Sequence, residues 1–89
     1  MRKIIIGKKF KKDSKKHYLE FVSNSWIEAV NCLCNDVPLP QKYCDHALQG
    51  ESDGVRDCHI KPDLILLYVK TGTDFLELLR IGTHSELFD

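Results

Sequence analysis

The chain has 89 residues, of which 43% are hydrophobic and 29% charged, and its formal net charge is zero. This length suits one small domain spanning residues 1–89, and the composition excludes an intrinsically disordered chain. No apolar run reaches the length of a membrane span, and only three isoleucines and a glycine separate Arg2 and Lys3 from the next lysines, too few for a signal peptide. A cytoplasmic protein that does not enter a membrane is therefore expected.

The N-terminal residues form a basic segment in an otherwise acidic chain. Residues 1–17 contain eight Lys and Arg against one Asp, a net charge of +7, whereas residues 18–89 carry −7. Two interpretations remain open, a solvated helix face or a surface for a polyanion or an acidic partner.

The first half of the chain predicts one strand and two helices. Three isoleucines predict a strand from Lys3 to Gly7, and apolar residues at helical spacing predict a helix from Lys8 to about Ser23. Ser25 and Glu28 match a capping box that opens a second helix, which runs to about Asp36 with Val37 on its apolar side. The short link between these helices favours an antiparallel hairpin.

The second half predicts short strands. Alternation in Val55 to Ile60 places Asp57 and His59 on one face and Arg56 on the other. In the last strand, Arg80 has the same parity as Leu76 and Leu78. The predicted elements are a short strand at 47–50, a turn at 51–54, and strands at 55–60, 64–69 and 75–82. The expected fold is α+β, with the helical hairpin on one face of a small antiparallel sheet and the first strand at an edge.

The C-terminal half also concentrates groups that can cleave RNA. It contains three of the four histidines, together with one aspartate and two arginines: His46, His59, His84, Asp63, Arg56 and Arg80. Metal-free cleavage needs a base for the 2′-OH, an acid for the departing 5′-oxygen and a cation for the phosphate. Imidazoles can act as acid or base at neutral pH, and the arginine fork suits a phosphate.

The four cysteines are expected to be reduced thiols, since no secretion signal is present. Zinc binding by Cys44, His46, Cys58 and His59 is conceivable, but the paired Cys-x-x-Cys spacing is absent. The sequence therefore predicts neither a metal nor another cofactor.

Three motifs together resemble the YafQ-type branch of the RelE/ParE toxin superfamily. They are Asp45-His46-x-Leu48-x-Gly50, Arg56-Asp57-x-His59-Ile60-x-Pro62-Asp63 and Arg80-x-Gly82-Thr83-His84-x-x-Leu87-Phe88. The resemblance implies a RelE-like fold and a toxin of a type II toxin–antitoxin system, an endoribonuclease that cuts mRNA at the ribosome. It also implies a cognate antitoxin as inhibitor, and contact with operator DNA only through the antitoxin complex.

The resemblance also assigns residues to roles. It implies a catalytic set of His46, His59, Asp63, Arg80 and His84 and a substrate-binding role for Phe88. Arg56 and Lys61 are expected to bind substrate as well. His84 is expected to be the general acid or base, with Asp63 or His59 as its counterpart and His46 orienting the substrate. Arg80 would stabilise phosphate charge, and the ring of Phe88 would hold a base.

Two other functions remain as alternatives. A ParE-like toxin that binds and inhibits a topoisomerase does not need the histidine cluster. A non-catalytic interaction domain of the same fold would leave the three histidines purely structural.

Overall fold

The computed structural model of the chain describes residues 1–50 and 54–88. Its elements, in chain order, are β1 (Lys3–Ile6), α1 (Lys8–His17), a 3₁₀ helix (Tyr18–Val22), α2 (Asn24–Cys34), a second 3₁₀ helix (Gln41–Tyr43), β2 (His46–Ala47), β3 (Arg56–Lys61), β4 (Leu64–Thr71), β5 (Phe75–Gly82) and α3 (His84–Phe88). None of the described helices combines the length and the apolar character that crossing a bilayer requires.

The strands form one five-stranded sheet in the order β1-β5-β4-β3-β2. β1 runs parallel to β5, and the other pairs are antiparallel. The predicted α+β class, the meander from β3 to β5 and the edge position of the first strand are therefore confirmed.

The hydrophobic core lies between the helices and one face of the sheet. Phe10 of α1 and Ala29 and Leu33 of α2 pack against the buried sheet residues Cys58, Ile60, Leu64, Leu66, Tyr68, Leu76, Leu78 and Ile81. Ile65 and Leu67 are buried on the opposite side of β4, as expected for a central strand. We call this opposite side, which faces away from the helix-packed core, the distal face.

The helical half departs from the predictions at its junctions. α1 ends at His17, whose φ of −117° and ψ of 22° leave the helical region, and a 3₁₀ helix replaces the predicted last turns. The capping box at Ser25 is wrong, because Ser23 is the N-cap and its Oγ accepts the Trp26 N–H at 3.2 Å. Glu28 instead accepts a hydrogen bond from Tyr43 O–H. The second helix stops at Cys34, and Val37 is exposed.

The predicted parity of Arg80 is also wrong, because β5 contains a bulge. Leu67 pairs with Arg80 but its neighbour Tyr68 pairs with Leu78, so one residue of β5 is left over. The extra residue reverses the alternation. Ile81 therefore joins the core, and Arg80 is on the distal face.

Several smaller boundaries differ as well, including the end of β4, which continues to Thr71 rather than stopping at residue 69. β2 covers His46–Ala47 rather than 47–50, and β3 begins and ends one residue later than predicted. The predicted turn at 51–54 lies, apart from Gly54, outside the described residues. The sequence analysis assigned no element to residues 84–88, where the structure has α3.

Candidate active site

The strand register arranges the candidate residues in two rows across the distal face. Directly opposed residues share a face of a sheet, and the first row runs His46–Asp57–Leu67–Arg80. The second row runs His59–Ile65–Gly82. Neighbouring strands are about 4.8 Å apart, so the backbones at His59 and Gly82 are roughly 10 Å apart.

Two histidines share one buried carboxylate. Nε2 of His59 lies 3.5 Å and Nε2 of His46 lies 3.9 Å from the carboxylate oxygens of Asp57. Nδ1 of His46 donates to the Cys44 carbonyl at 2.6 Å, since a carbonyl can only accept, and this bond directs Nε2 towards Asp57. Asp57 is only 5% exposed, and its Oδ1 has no hydrogen-bond partner among the described residues.

The third histidine belongs to α3, at the end of β5. Asp63, in the turn between β3 and β4, accepts the backbone N–H of His84 at 3.0 Å. The His84 ring lies against Phe88, one helical turn later, with 5.0 Å between ring centroids. Asp63 therefore has a local structural task, which is to hold the first turn of the helix that carries His84 and Phe88.

Arg80 is already partnered. Its Nε and Nη2 donate to the two oxygens of Asp13 at 2.7 and 3.1 Å, and Asp13 also accepts the Ile81 N–H at 3.1 Å. The hydrogen bond to Asp13 raises the pKa of Arg80, so the guanidinium stays charged. Two of its donors are thereby used, and the remaining ones can bind a phosphate.

A groove of about 500 Å³ runs along the distal face beside Arg80 and Phe88, with Leu67, Leu79 and Leu87 among its apolar walls. A second depression, of about 470 Å³, shares Lys9 and Arg80 with it and continues along the lysines of α1. None of the three histidines lines either depression. His84 adjoins the groove through its contact with Phe88, and His46 lies in the same row of the sheet as Leu67 and Arg80, which line the groove.

Two predicted substrate-binding cations lie elsewhere. Arg56 shares the helix-packed face with Tyr68, where its Nε donates to Asp45 at 3.2 Å and that bond raises its pKa. Lys61 is paired with Glu20 at 2.5 Å. The structure therefore does not bring Arg56 together with the three histidines.

The conceivable zinc set is not assembled. Cys58 is fully buried on the helix-packed face, whereas its neighbour His59 is on the distal face. Over residues 1–50 and 54–88, no group of three or more His, Cys, Asp or Glu side chains is arranged to hold a metal ion. All four cysteines are free thiols.

Sequence reasoning missed three carboxylates at this surface. The place of Asp57 beside the histidines could have been predicted, because Asp57 has the same strand parity as His59. The place of Glu86 could have been predicted too, since Thr83-x-x-Glu86 is a capping box that opens α3: Glu86 Oε1 accepts the Thr83 N–H at 2.8 Å and Thr83 Oγ1 accepts the Glu86 N–H at 3.2 Å. No pattern in the sequence indicated Asp13, because its partner is 67 residues away.

Acid is expected to weaken the fold through Glu86. Hydrogen bonds from Lys16, from the Thr83 amide and from His17 lower its pKa from 4.5 to about 2. Because the folded state lowers this pKa, ionised Glu86 stabilises the folded protein fully above pH 4.5, and this stabilisation is lost as the pH falls towards 2. We expect the midpoint urea concentration to fall over this range, and to fall less steeply in Glu86→Gln. Equal slopes in both proteins would contradict this.

Comparisons with known proteins place the chain in a family. Residues 2–89 match the family described as bacterial toxin of type II toxin-antitoxin system, YafQ. An mRNA interferase toxin YafQ of Escherichia coli K12 is 50% identical over 54 residues, which cover 61% of this chain and 58% of that protein.

Two solved structures have the same fold. A metal-bound toxin from Helicobacter pylori is 41% identical with a TM-score of 0.87, covering 99% of this chain and 100% of that one. The E. coli DinJ–YafQ complex contains a chain that is 37% identical with a TM-score of 0.84, and both chains are covered completely. With the match over residues 2–89, these similarities establish that the chain belongs to the YafQ family of bacterial toxins of type II toxin–antitoxin systems.

Proposed function

We propose that this chain is an endoribonuclease that cleaves mRNA without a metal ion. The observation that carries the proposal is the placement of two accessible imidazoles, His46 and His59, on the same face of the sheet as Arg80, with His84 and Phe88 in the helix that directly follows the end of β5. His46 and His59 adjoin Asp57, and His84 lies against Phe88. The name of the E. coli relative, mRNA interferase, supports the same activity.

The chemistry is a transfer within the RNA strand. A base removes the 2′-OH proton, the 2′-oxygen bonds to the adjacent phosphorus, and the bond from phosphorus to the 5′-oxygen breaks as an acid protonates that oxygen. His59 and His84 take the two proton-transfer roles, since Asp63 is engaged with the His84 amide. The backbone of His59 lies about 10 Å from that of Gly82, and Gly82 ends the strand two residues before His84, so both histidines belong to the same end of the sheet.

The remaining residues bind and orient. Arg80 offers its free N–H groups to the phosphate and Phe88 stacks on a base, while the buried carboxylate of Asp57 places a negative charge 3.5 Å from Nε2 of His59 and 3.9 Å from Nε2 of His46. The lysines of α1 that line the second depression, such as Lys9 and Lys12, attract the phosphate backbone.

We further propose that the toxin acts in the cytoplasm on ribosome-bound mRNA and is inhibited by a protein antitoxin. The E. coli relative in complex with DinJ supports a protein partner of this kind. Contact with operator DNA would come through that antitoxin.

The test is to incubate purified protein with free RNA and with ribosome-bound mRNA and to sequence the product ends. We expect 2′,3′-cyclic phosphate and 5′-hydroxyl ends, and unchanged rates with a chelator that removes transition metals but leaves the Mg²⁺ that ribosomes need. Activity lost with the chelator and restored by a metal would overturn metal independence. Intact RNA in both reactions would overturn the nuclease proposal, and inhibition of a topoisomerase would then favour the ParE-like alternative.

A further inference from the structure

α3 carries two proposed active-site rings but has little means of holding its own position. It has five residues, far fewer than an isolated helix needs to be stable in water. Its orientation must therefore come from contacts with the rest of the protein. Asp63 provides one such contact at the His84 amide.

Glu86 provides a second set of contacts, to α1. While Oε1 accepts the Thr83 amide at 2.8 Å, Nε2 of His17 lies 2.7 Å from the same oxygen, and Lys16 forms an ion pair with the other oxygen. One side chain thus joins the start of α3 to the last turn of α1, across 69 positions of sequence.

The side chain of Glu86 also lies directly over Gly82, the last residue of β5. A Cβ built on Gly82 would lie 2.8 Å from Glu86 Oε1 and 3.2 Å from Leu87 Cδ2, so the carboxylate rests directly on the end of β5. Asp13 of α1 ties the same strand end through Ile81 and Arg80. α1 therefore holds both β5 and α3.

We propose that Glu86 is a positioning residue, which fixes α3 against α1 so that the rings of His84 and Phe88 face the substrate. This inference rests on the proposed function. Without the carboxylate, α3 samples several orientations and the rings meet the phosphate less often. Misplacement of a catalytic group by about 1 Å can cost roughly 100-fold in rate.

The test compares Glu86→Ala, Glu86→Gln and a matched control, Asp36→Asn. Asp36 also has two cationic partners, Arg2 and Lys70, and a pKa lowered to about 2 by hydrogen bonds from Lys70 and Arg2, but it lies near the opposite end of β5. Its φ of 56° suits asparagine. We expect kcat/KM to fall about 10- to 100-fold in Glu86→Ala, because His84 and Phe88 lose their orientation together. Glu86→Gln, which keeps an acceptor for the Thr83 amide, should lose less, and Asp36→Asn should keep the kcat/KM of the unmodified protein.

An NMR measurement separates this inference from the proposed function. Backbone order parameters of residues 84–88 should fall below about 0.6 in Glu86→Ala and stay near 0.85 in Asp36→Asn. Rigid amides in Glu86→Ala would overturn the positioning role whether or not RNA is cut. If these amides are mobile in Glu86→Ala but neither the unmodified protein nor any variant cuts RNA, the result would support the positioning role of Glu86 and reject the proposed nuclease activity. If Glu86→Ala does not fold, the cleavage rate and the order parameters of residues 84–88 are measured in Glu86→Gln instead.

Discussion

Replacing His84 with alanine is expected to lower the rate of RNA cleavage by about 10²- to 10⁴-fold, the usual contribution of a positioned acid or base. The fold should persist, because His84 is exposed and Asp63 binds its backbone amide, which alanine retains. Single-turnover cleavage rates and the urea midpoint measure the two effects.

Two further variants show which property of the ring matters. His84→Phe keeps a ring against Phe88, at the 5.0 Å spacing seen here, but cannot transfer a proton. We expect it to be as inactive as His84→Ala. Ser85→Ala changes the adjacent exposed position of α3 and should leave the rate unchanged. Near-normal cleavage by His84→Phe would mean that stacking, and not proton transfer, is the function of this side chain.

Replacing Arg80 with lysine is expected to reduce cleavage by about 10²- to 10³-fold, as the loss of one charge-stabilising donor does in other enzymes. The guanidinium now binds both oxygens of Asp13 and still has N–H groups left. One ammonium cannot hold the carboxylate bidentately and face a phosphate in the same geometry. A measurement of kcat and KM, with a thermal melt for stability, tests this.

Asp13→Asn is the matched control for Arg80→Lys. Asparagine keeps an acceptor for the Ile81 amide but removes the negative charge beside Arg80. We expect a loss of less than about 10-fold, since the fork itself remains to bind phosphate. Cleavage by Arg80→Lys within a few-fold of the unmodified protein would show that a single positive charge is sufficient at this position and that the guanidinium fork is not required.

Local patterns in the sequence predicted most of the strands of the fold. The isoleucine run, the alternation around Asp57 and the apolar run after Asp63 predicted strands that the structure confirms, because these signals depend on neighbours two to four residues apart. The prediction failed where one extra residue in a strand reverses which side chains face the core. The bulge in β5 reversed the parity of Arg80, and such an insertion becomes visible only when the partner strand is present.

Residue patterns alone were enough to predict the family, the strand meander and the histidines proposed to act on RNA. The contacts of those groups came from the folded structure: Asp57 lies between two imidazoles, Asp13 binds Arg80, and Glu86 joins α3 to α1. These contacts join residues that are far apart along the chain. Hydrogen bonds between residues 67 or 69 positions apart leave no periodic trace in a sequence, since they form only after the sheet has brought distant segments together.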